Sequence, residues 1–336
     1  MTTSLMYGKP GMFRSGPKQL FLICICVCSS VLFYFLCRTI DKKNPALDIN
    51  EMIKDRRNID LVFIGGSTHS GTSLIRAMLD SHQEIYCGYE TWLMRTILGG
   101  LERWREFNQK HFLVNAGVYP EALDDAIAQF MLEVILGHCP TSKLCCYKDT
   151  YILTYAEYIH RLFKNAKFIH MVRDPRAVVY SELSQKDPNN VNNVTSYWMN
   201  FQKWDEDNLI ILDKCADLGK KYCLLVKYEQ LILKPVAQTK RIFEFLGIPW
   251  SDEVLHHERH INKSLILRSE EYVSEDLFKP LHLNGLKSWF GNLPKEIEEN
   301  LGQNGIGQLV YFDYDRKEHT PNYGRPDEFM MKRINK

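Results

Sequence analysis

A strand, a glycine-containing loop and a helix are encoded in the stretch "LVFIGGSTHSGTSLIRAMLD" at residues 61–80. An apolar run gives way to a turn and then to apolar residues at helical spacing. Four residues separate Gly66 from Gly71, as in loops whose backbone N–H groups cradle a phosphate at a helix N-terminus. Thr72 stands where such loops usually carry lysine. Glycine turns between a strand and a helix are common without any ligand, so the loop alone leaves the function open.

Further strands and helices alternate along the chain, which predicts an α/β fold with a parallel central sheet flanked by helices. The predicted strands cover residues 61–64, 144–147 and 167–172, and "YCLLVKY" adds another apolar segment. The predicted helices cover residues 72–80, 120–136, 151–163, 174–185 and 236–246, and residues 195–217 form a long amphipathic segment. The folded domain is expected at residues 59–328, after a polar stem at 38–58 and before a C-terminal tail at 329–336.

Composition is that of a globular protein, with 336 residues of which 45% are apolar and 25% are charged. The formal net charge is +1, which gives no overall basic surface of the kind that nucleic-acid-binding proteins use. No nucleic-acid partner is therefore expected, and any anion site has to be built locally.

Residues 20–37, "LFLICICVCSSVLFYFLC", carry no charge over 18 positions, which is enough for a helix to cross a bilayer. A cleaved signal peptide is the alternative, but its apolar region is shorter and ends at small residues, whereas this one ends at Cys37 and Arg38. We expect an uncleaved signal-anchor after a short tail at residues 1–19. Basic residues flank both ends, so their count does not decide the orientation.

Cysteines and sequons bear on the compartment. Six cysteines follow the apolar stretch, an even number that fits disulfides in an oxidising compartment. The alternative is that several of them are small buried apolar residues. Asn193 and Asn262 begin Asn-X-Ser/Thr sequons, which are glycosylated only if they face a secretory lumen.

Several ordered segments together resemble the protein-tyrosine sulfotransferases. They are "FIGG....SGTSLIRAMLD.H" with "CG.ET", "KD" at 148–149, "NAKFIHMVRD.RA", "YEQLILKP", "IPW...VLHHE" and "PNYGRPD". The resemblance implies a P-loop-like sulfotransferase fold in a single-pass type II protein of the Golgi membrane, with its catalytic domain in the lumen. It also implies a homodimer that transfers a sulfuryl group from 3′-phosphoadenosine 5′-phosphosulfate (PAPS) to tyrosine residues of secreted and membrane proteins.

The resemblance implies two contact regions for PAPS. The glycine loop holds the 5′ end, and the strand-to-helix junction "VRDPRAVVYS" holds the 3′-phosphate, for which the fork of an arginine is suited. Since PAPS has no triphosphate, neither the loop lysine nor a metal is required, and no metal-binding motif is evident. The implied donor-binding residues are His69, Ser70, Gly71, Thr72, Ser73, Arg173, Ser181, Tyr228 and Lys287.

Three further positions match the family's catalytic residues. Glu90 matches the general base that takes the phenolic proton, although a lone glutamate without this context is usually a surface charge. Lys148 matches a lysine that stabilises the leaving group, and Ser274 matches a serine that assists it. Asp174 is expected to cap the helix that follows, with Pro175 at its first position.

The resemblance also implies the disulfides. Cys87 and Cys146 fall at positions that pair in the family, as do Cys215 and Cys223. Cys139 and Cys145 are left without an assignment.

Four family arginines are missing from the expected site. The residues that stand in their places are His69, Trp92, Thr96 and Gln185, and the order of Lys287 and Ser288 is reversed relative to the family. Three hypotheses follow: an active tyrosine-directed enzyme with altered substrate preference, a weak or inactive relative that binds PAPS or a partner subunit, and a carbohydrate sulfotransferase. The segment around Glu90 counts against the third.

Overall fold

The computed structural model of the protein describes residues 57–88, 90–106, 110–137, 139, 143–186, 188, 192–261, 275–301, 306–314 and 322–334. The expected membrane anchor at residues 20–37 lies outside these ranges, as do Ser274 and Asn262. None of the helices in the described ranges combines the length and the apolar character that a bilayer span requires.

Five strands form one sheet: β1 (Leu61–Gly65), β2 (Ile85–Cys87), β3 (Leu144–Lys148), β4 (Lys167–Val172) and β5 (Cys223–Lys227). Their spatial order is β2–β3–β1–β4–β5, and every pairing is parallel. The parallel sheet predicted from the alternating pattern is therefore confirmed. The short strand β2 was missed, because three residues are too few to show a periodic pattern.

The helices of the described ranges are α1 (Thr72–Asp80), α2 (Leu93–Glu106), α3 (Lys110–Asn115), α4 (Glu121–Leu136), α5 (Ala156–Leu162), α6 (Pro175–Lys186), α7 (Val194–Leu218), α8 (Tyr228–Leu233), α9 (Pro235–Leu246), α10 (Asn284–Lys287), α11 (Lys295–Asn300), α12 (Gly307–Tyr311) and α13 (Glu328–Ile334). Short 3₁₀ segments cover Ile152–Tyr155, Asp252–Arg259 and Glu275–Phe278. The sequence did not predict α2, whose interior contains two consecutive glycines with low helix propensity.

Both faces of the sheet are buried, as expected for a parallel sheet covered by helices. Along β1, Leu61 and Phe63 belong to one apolar cluster, whereas Val62 and Ile64 belong to a second cluster on the other face. Full burial of each such side chain stabilises the fold by about 1.5–3 kcal/mol. The second cluster also includes Met330 of α13, so part of the expected C-terminal tail packs on the domain.

Helix α7 has 25 residues and packs against β5 and against helices α5 and α6. The side chain of Asn193 caps its N-terminus by accepting a hydrogen bond from the Ser196 N–H at 3.1 Å. Tyr197, Phe201 and Trp204 bury one face of the helix in a third apolar cluster. The long amphipathic segment that the sequence predicts at 195–217 is this helix.

Three disulfides join neighbouring elements. Cys87 and Cys146 lie opposite each other on β2 and β3, and Cys215 of α7 is bonded to Cys223 of β5. These are the two pairs that the family resemblance implies. The structure adds a third disulfide between Cys139 and Cys145, which the sequence left unassigned.

Candidate active site

The glycine loop after β1 requires both of its glycines. Gly66 has a φ of 152°, and a Cβ at this position would lie 2.1 Å from the Met171 carbonyl oxygen. Gly71 has a φ of 97°, and a Cβ there would lie 2.5 Å from the ring of Tyr228. The loop leads directly into α1, so its backbone N–H groups and the helix N-terminus form an anion-binding arrangement. Ser70 Oγ is buried there and has no hydrogen-bond partner among the described residues.

The predicted site residues follow the C-terminal ends of different strands. Lys148 ends β3, Arg173 follows β4, and Tyr228 follows β5. Glu90 comes three residues after the end of β2, and the glycine loop follows β1. Because the strands are parallel, these ends meet at one edge of the sheet, where α/β proteins bind ligands.

A cavity of about 280 Å³ lies at this edge, and we call it the central cavity. The predicted site residues that line it are His69, Gly71, Thr72, Ser73, Glu90, Lys148, Arg173, Ser181 and Tyr228. Ser70 lies in the adjoining loop. Lys287 is exposed at the end of α10 and does not line the cavity.

Glu90 and Lys148 form a buried ion pair in the central cavity. Lys148 Nζ donates a hydrogen bond to Glu90 Oε2, and the side chains are only 4% and 9% exposed for Lys148 and Glu90. The Thr150 N–H donates to Glu90 Oε1 at 3.3 Å. The carboxylate is therefore held in one orientation beside a cation, which suits a base and an electrostatic stabiliser working on one substrate.

Arg173 is held by backbone oxygens and by an aromatic ring. Its guanidinium donates to the Gly285 carbonyl at 2.6 Å and to the His69 carbonyl at 3.0 Å. It also lies 4.4 Å from the ring centroid of Tyr228. Arg173 Nε is buried without a hydrogen-bond partner in the described ranges. Burial raises the pKa of Tyr228, so its phenol is neutral at pH 7.

His69 adopts an uncommon backbone conformation, with a φ of 58°. Its Nδ1 lies 3.1 Å from Ser181 Oγ, so the imidazole contacts a predicted ligand of the 3′-phosphate. Burial lowers the pKa of His69 to about 4, and the cations Arg173, Lys186 and Lys148 act in the same direction, against the opposing effect of Glu182. The imidazole is therefore neutral at pH 7.

Thr68, Glu182 and Lys186 also line the central cavity, and the sequence did not single them out. Thr68 Oγ1 donates to Glu182 Oε2 at 2.9 Å, and Lys186 forms an ion pair with the same carboxylate. Burial favours the neutral acid, but these hydrogen bonds outweigh it and lower the pKa of Glu182. The i, i+4 spacing of Glu182 and Lys186 on α6 is the sequence signal that could have indicated the pair.

The start of α6 matches the sequence expectation. Asp174 Oδ1 accepts a hydrogen bond from the Arg176 N–H at 2.9 Å, and Pro175 is the first helical residue. Arg176 Nη2 forms an ion pair with Asp174 Oδ2 at 2.6 Å. The predicted capping role of Asp174 is confirmed. This packed junction fixes the backbone next to Arg173.

Asp149 and Tyr151 follow Lys148 and shape the cavity beside Glu90. Asp149 Oδ1 accepts a hydrogen bond from the Tyr151 N–H at 3.0 Å. Burial, together with the neighbouring Glu90 carboxylate, raises the pKa of Asp149 to about 6. Tyr151 itself lines the central cavity. Within the described ranges, no cluster of three or more His, Cys, Asp or Glu residues is arranged to hold a metal ion.

A parallel sheet with this loop and this cavity is the architecture of sulfotransferases, and the profile of the sulfotransferase family matches residues 61–252. The chain is 39% identical over 278 residues to protein-tyrosine sulfotransferase A of Caenorhabditis elegans, covering 82% of this chain and 73% of that protein. It is 34% identical over 342 residues to protein-tyrosine sulfotransferase 1 of Danio rerio, covering 94% of each. The chain therefore belongs to the protein-tyrosine sulfotransferase family.

Solved structures give the same fold. The sulfotransferase domain of the Synechococcus PCC 7002 olefin synthase superposes with a TM-score of 0.53 at 22% identity, covering 76% of this chain and 95% of that domain. At this identity the likeness concerns the fold alone.

Proposed function

We propose that this protein transfers a sulfuryl group from PAPS to tyrosine residues of proteins and forms tyrosine O-sulfate. The observation that carries the proposal is the buried contact between Glu90 and Lys148, in the same cavity as the glycine loop. A base and a cation beside an anion-binding loop are what sulfuryl transfer to a phenol needs.

The central cavity suits PAPS as the sulfuryl donor. Ser70 Oγ and Arg173 Nε are buried polar atoms that lack partners in the described ranges, and a phosphate or sulfate oxygen would satisfy both. The N-terminus of α1 favours a negative charge, and the absence of a Cβ at Gly71 brings the backbone close to Tyr228. Arg173, with Ser181 nearby, would then hold the 3′-phosphate.

Transfer proceeds by an in-line displacement at sulfur. Glu90 accepts the phenolic proton of the acceptor tyrosine, whose pKa of about 10 makes a general base useful. The phenolic oxygen forms a bond to sulfur while the bond between sulfur and the bridging oxygen breaks, and 3′-phosphoadenosine 5′-phosphate (PAP) leaves. Lys148 moves its hydrogen bond from Glu90 to the bridging oxygen and stabilises the charge that develops there.

We further propose a type II protein of the Golgi membrane with the catalytic domain in the lumen and with homodimeric assembly. The uncharged stretch at residues 20–37 supports the anchor, and the three disulfides support an oxidising compartment. The acceptors would then be secreted and membrane proteins. Protease treatment of sealed vesicles should leave the domain intact, and its digestion without detergent would contradict the orientation.

A weak or inactive PAPS-binding relative is the second candidate. The neutral imidazole of His69 favours it, because an uncharged group stabilises a transferring sulfuryl group less than an arginine does. The missing arginines at positions 92, 96 and 185 act in the same direction.

The proposal is tested by incubating the purified protein with radiolabelled PAPS and measuring the label transferred to tyrosine peptides. The peptides differ in the charge of the residues that flank the tyrosine. Glu90→Gln should lower turnover by about 100-fold to 10,000-fold, since this is the usual contribution of a general base. Glu157→Gln is the matched control, because Glu157 is an exposed glutamate that pairs with Lys214 away from the cavity. PAP binding without any turnover of wild-type protein would favour the second candidate.

A further inference from the structure

A short turn after β3 connects the glycine loop to Glu90, and we call residues 149–151 the base turn. The Thr150 N–H donates a hydrogen bond to Glu90 Oε1 at 3.3 Å. The Thr150 carbonyl oxygen accepts one from the Gly66 N–H at 3.0 Å. A single residue is thus bonded through its backbone to the proposed base on one side and to the glycine loop on the other. The backbone conformation of the base turn therefore affects both contacts.

The carboxylate of Asp149 holds the base turn in this conformation. Asp149 Oδ1 accepts a hydrogen bond from the Tyr151 N–H at 3.0 Å, which closes the turn around the peptide group of Thr150. The Asp149 N–H donates to the Ile64 carbonyl oxygen at 3.1 Å, and the Ile152 N–H donates to the Asp149 carbonyl oxygen at 3.2 Å. With the backbone of Asp149 fixed in this way, its side chain controls the direction in which the Thr150 N–H points.

The base turn also packs closely on the end of β1. A Cβ at Gly65 would lie 3.1 Å from the Asp149 carbonyl oxygen and 2.6 Å from Leu153 Cδ1. The glycine therefore allows the turn to approach the strand that leads into the glycine loop. Close packing of this kind leaves little room for another turn conformation.

Asp149 is an unusual residue for a purely structural position. The residue is 0% exposed, and Asp149 Oδ2 has no hydrogen-bond partner among the described residues. A buried acidic oxygen without a partner lowers stability, and in native proteins such a group calls for an explanation beyond core packing. The contact of the base turn with Glu90 supplies one.

We propose that Asp149 is a positioning residue for sulfuryl transfer and orients the Glu90 carboxylate through the Thr150 N–H. The inference rests on the proposed function and deepens it. Lys148 contacts the other oxygen of Glu90, and in the proposed mechanism it moves to the bridging oxygen during transfer. The Thr150 N–H then remains as a contact that keeps the carboxylate directed at the phenol. Displacement of a reacting group by about 1 Å can lower a rate by roughly 100-fold.

The test compares Asp149→Ala with Asp149→Asn, which keeps an acceptor oxygen for the Tyr151 N–H. Asp149→Ala should lower kcat with tyrosine peptides by about 100-fold. PAP affinity should change by less than about threefold, because the glycine loop keeps its own glycines and the N-terminus of α1. Asp149→Asn should retain most of the rate.

Asp205→Ala is the matched control, because its carboxylate also accepts a backbone hydrogen bond, from the Gln308 N–H at 2.7 Å, and does not line the central cavity. This variant should keep the wild-type kcat and PAP affinity.

Two further readouts separate a displaced base from a damaged fold. A fluorinated tyrosine has a more acidic phenol and depends less on a general base, so the rate loss of Asp149→Ala should be smaller with a fluorotyrosine peptide. The rate loss of Glu90→Gln should shrink in the same way. Hydrogen exchange at single-residue resolution should be faster at the Thr150 and Gly66 amides of Asp149→Ala and unchanged in Asp149→Asn.

An unchanged kcat in Asp149→Ala would overturn the proposal, as would a PAP affinity that falls as much as kcat. An equal rate loss with both phenols, or an Asp149→Asn variant as slow as Asp149→Ala, would also overturn it. If Asp149→Ala does not bind PAP, Asp149→Ser decides, because its hydroxyl accepts the same hydrogen bond more weakly. Its rate loss should again be smaller with fluorotyrosine, and an equal loss would contradict the inference.

Wild-type protein that binds PAP and transfers nothing to either phenol would refute the proposed function. Amide exchange then tests the base turn without any turnover. Faster exchange at Thr150 in Asp149→Ala than in Asp149→Asn would support the role of Asp149 in orienting this N–H, and equal exchange in the two variants would overturn it.

Discussion

The guanidinium of Arg173 donates a hydrogen bond to the carbonyl oxygen of His69, with 3.0 Å between nitrogen and oxygen. The two residues are 104 positions apart in the sequence, and the bond joins the glycine loop after β1 to the junction after β4. The ring of His69 also contacts Ser181. The two proposed phosphate-binding regions are thus joined by these contacts, and the conformation of residue 69 affects both.

Arg173→Ala should weaken binding of PAP by about 2–5 kcal/mol, because truncation of one partner in a buried charged contact has a cost of this size. The same change removes the bond to the His69 carbonyl, so the 5′ site is expected to loosen as well. Titration calorimetry measures the affinity. Arg161→Ala is the control, because Arg161 is exposed and pairs with Asp124 outside the cavity. Unchanged PAP affinity in Arg173→Ala would remove Arg173 from the site.

His69→Arg should raise the rate of sulfuryl transfer to tyrosine peptides by about tenfold or more, since a permanent cation replaces an imidazole held neutral by its lowered pKa. His69→Asn is the control, because asparagine tolerates the left-handed backbone and adds no charge. The measurement is the initial rate with radiolabelled PAPS at pH 7. A faster His69→Asn variant, or no gain in His69→Arg, would exclude charge at position 69 as the limiting factor.

Lys148→Met should destabilise the protein by about 3–5 kcal/mol as well as lower its activity, because it leaves the Glu90 carboxylate buried without its cation. The double variant Glu90→Gln with Lys148→Met should recover most of the stability and none of the activity. Thermal unfolding and the sulfuryl-transfer rate are measured on the same samples. If the double variant is no more stable than Lys148→Met, the ion pair contributes little to folding.

The pH dependence of stability should reflect Glu229, a buried glutamate that accepts hydrogen bonds from the Asp174 N–H and the Tyr314 hydroxyl, each at 2.8 Å. Burial raises the pKa of Glu229 to about 7, against a model-peptide value of 4.5. The folded state therefore binds the carboxyl proton of Glu229 more tightly than the unfolded state does. The contribution of Glu229 to the free energy of unfolding is fully present below pH 4.5 and is lost as the pH rises through 7.

Glu229→Gln removes this titration. As the pH rises from 5 to 8, the variant should therefore become more stable relative to the wild type. This gain in unfolding free energy is at most about 3 kcal/mol. Urea unfolding at several pH values measures it, with the exposed Glu244→Gln as control. A difference that stays constant with pH would show that Glu229 is ionised in the folded protein throughout.

The parallel α/β architecture and the loop after β1 could be predicted from the sequence, because both depend on local patterns of apolar residues and glycines. Its ordered segments also indicated the family and, through it, the positions of Glu90, Lys148 and Arg173. The helix α2 and the strand β2 were not predicted, since two glycines interrupt the first and the second has only three residues.

The contacts of these residues could not be predicted and are known only from the folded structure. His69 is neutral because it is buried, and the residues that bury it come from segments that are distant in the sequence. Likewise, Arg95 and Lys203 are 108 positions apart, and only the packing of α2 and α7 brings both to the ring of Tyr151. A local pattern records which face of an element is apolar, but it holds no information on which distant side chain will lie against that face.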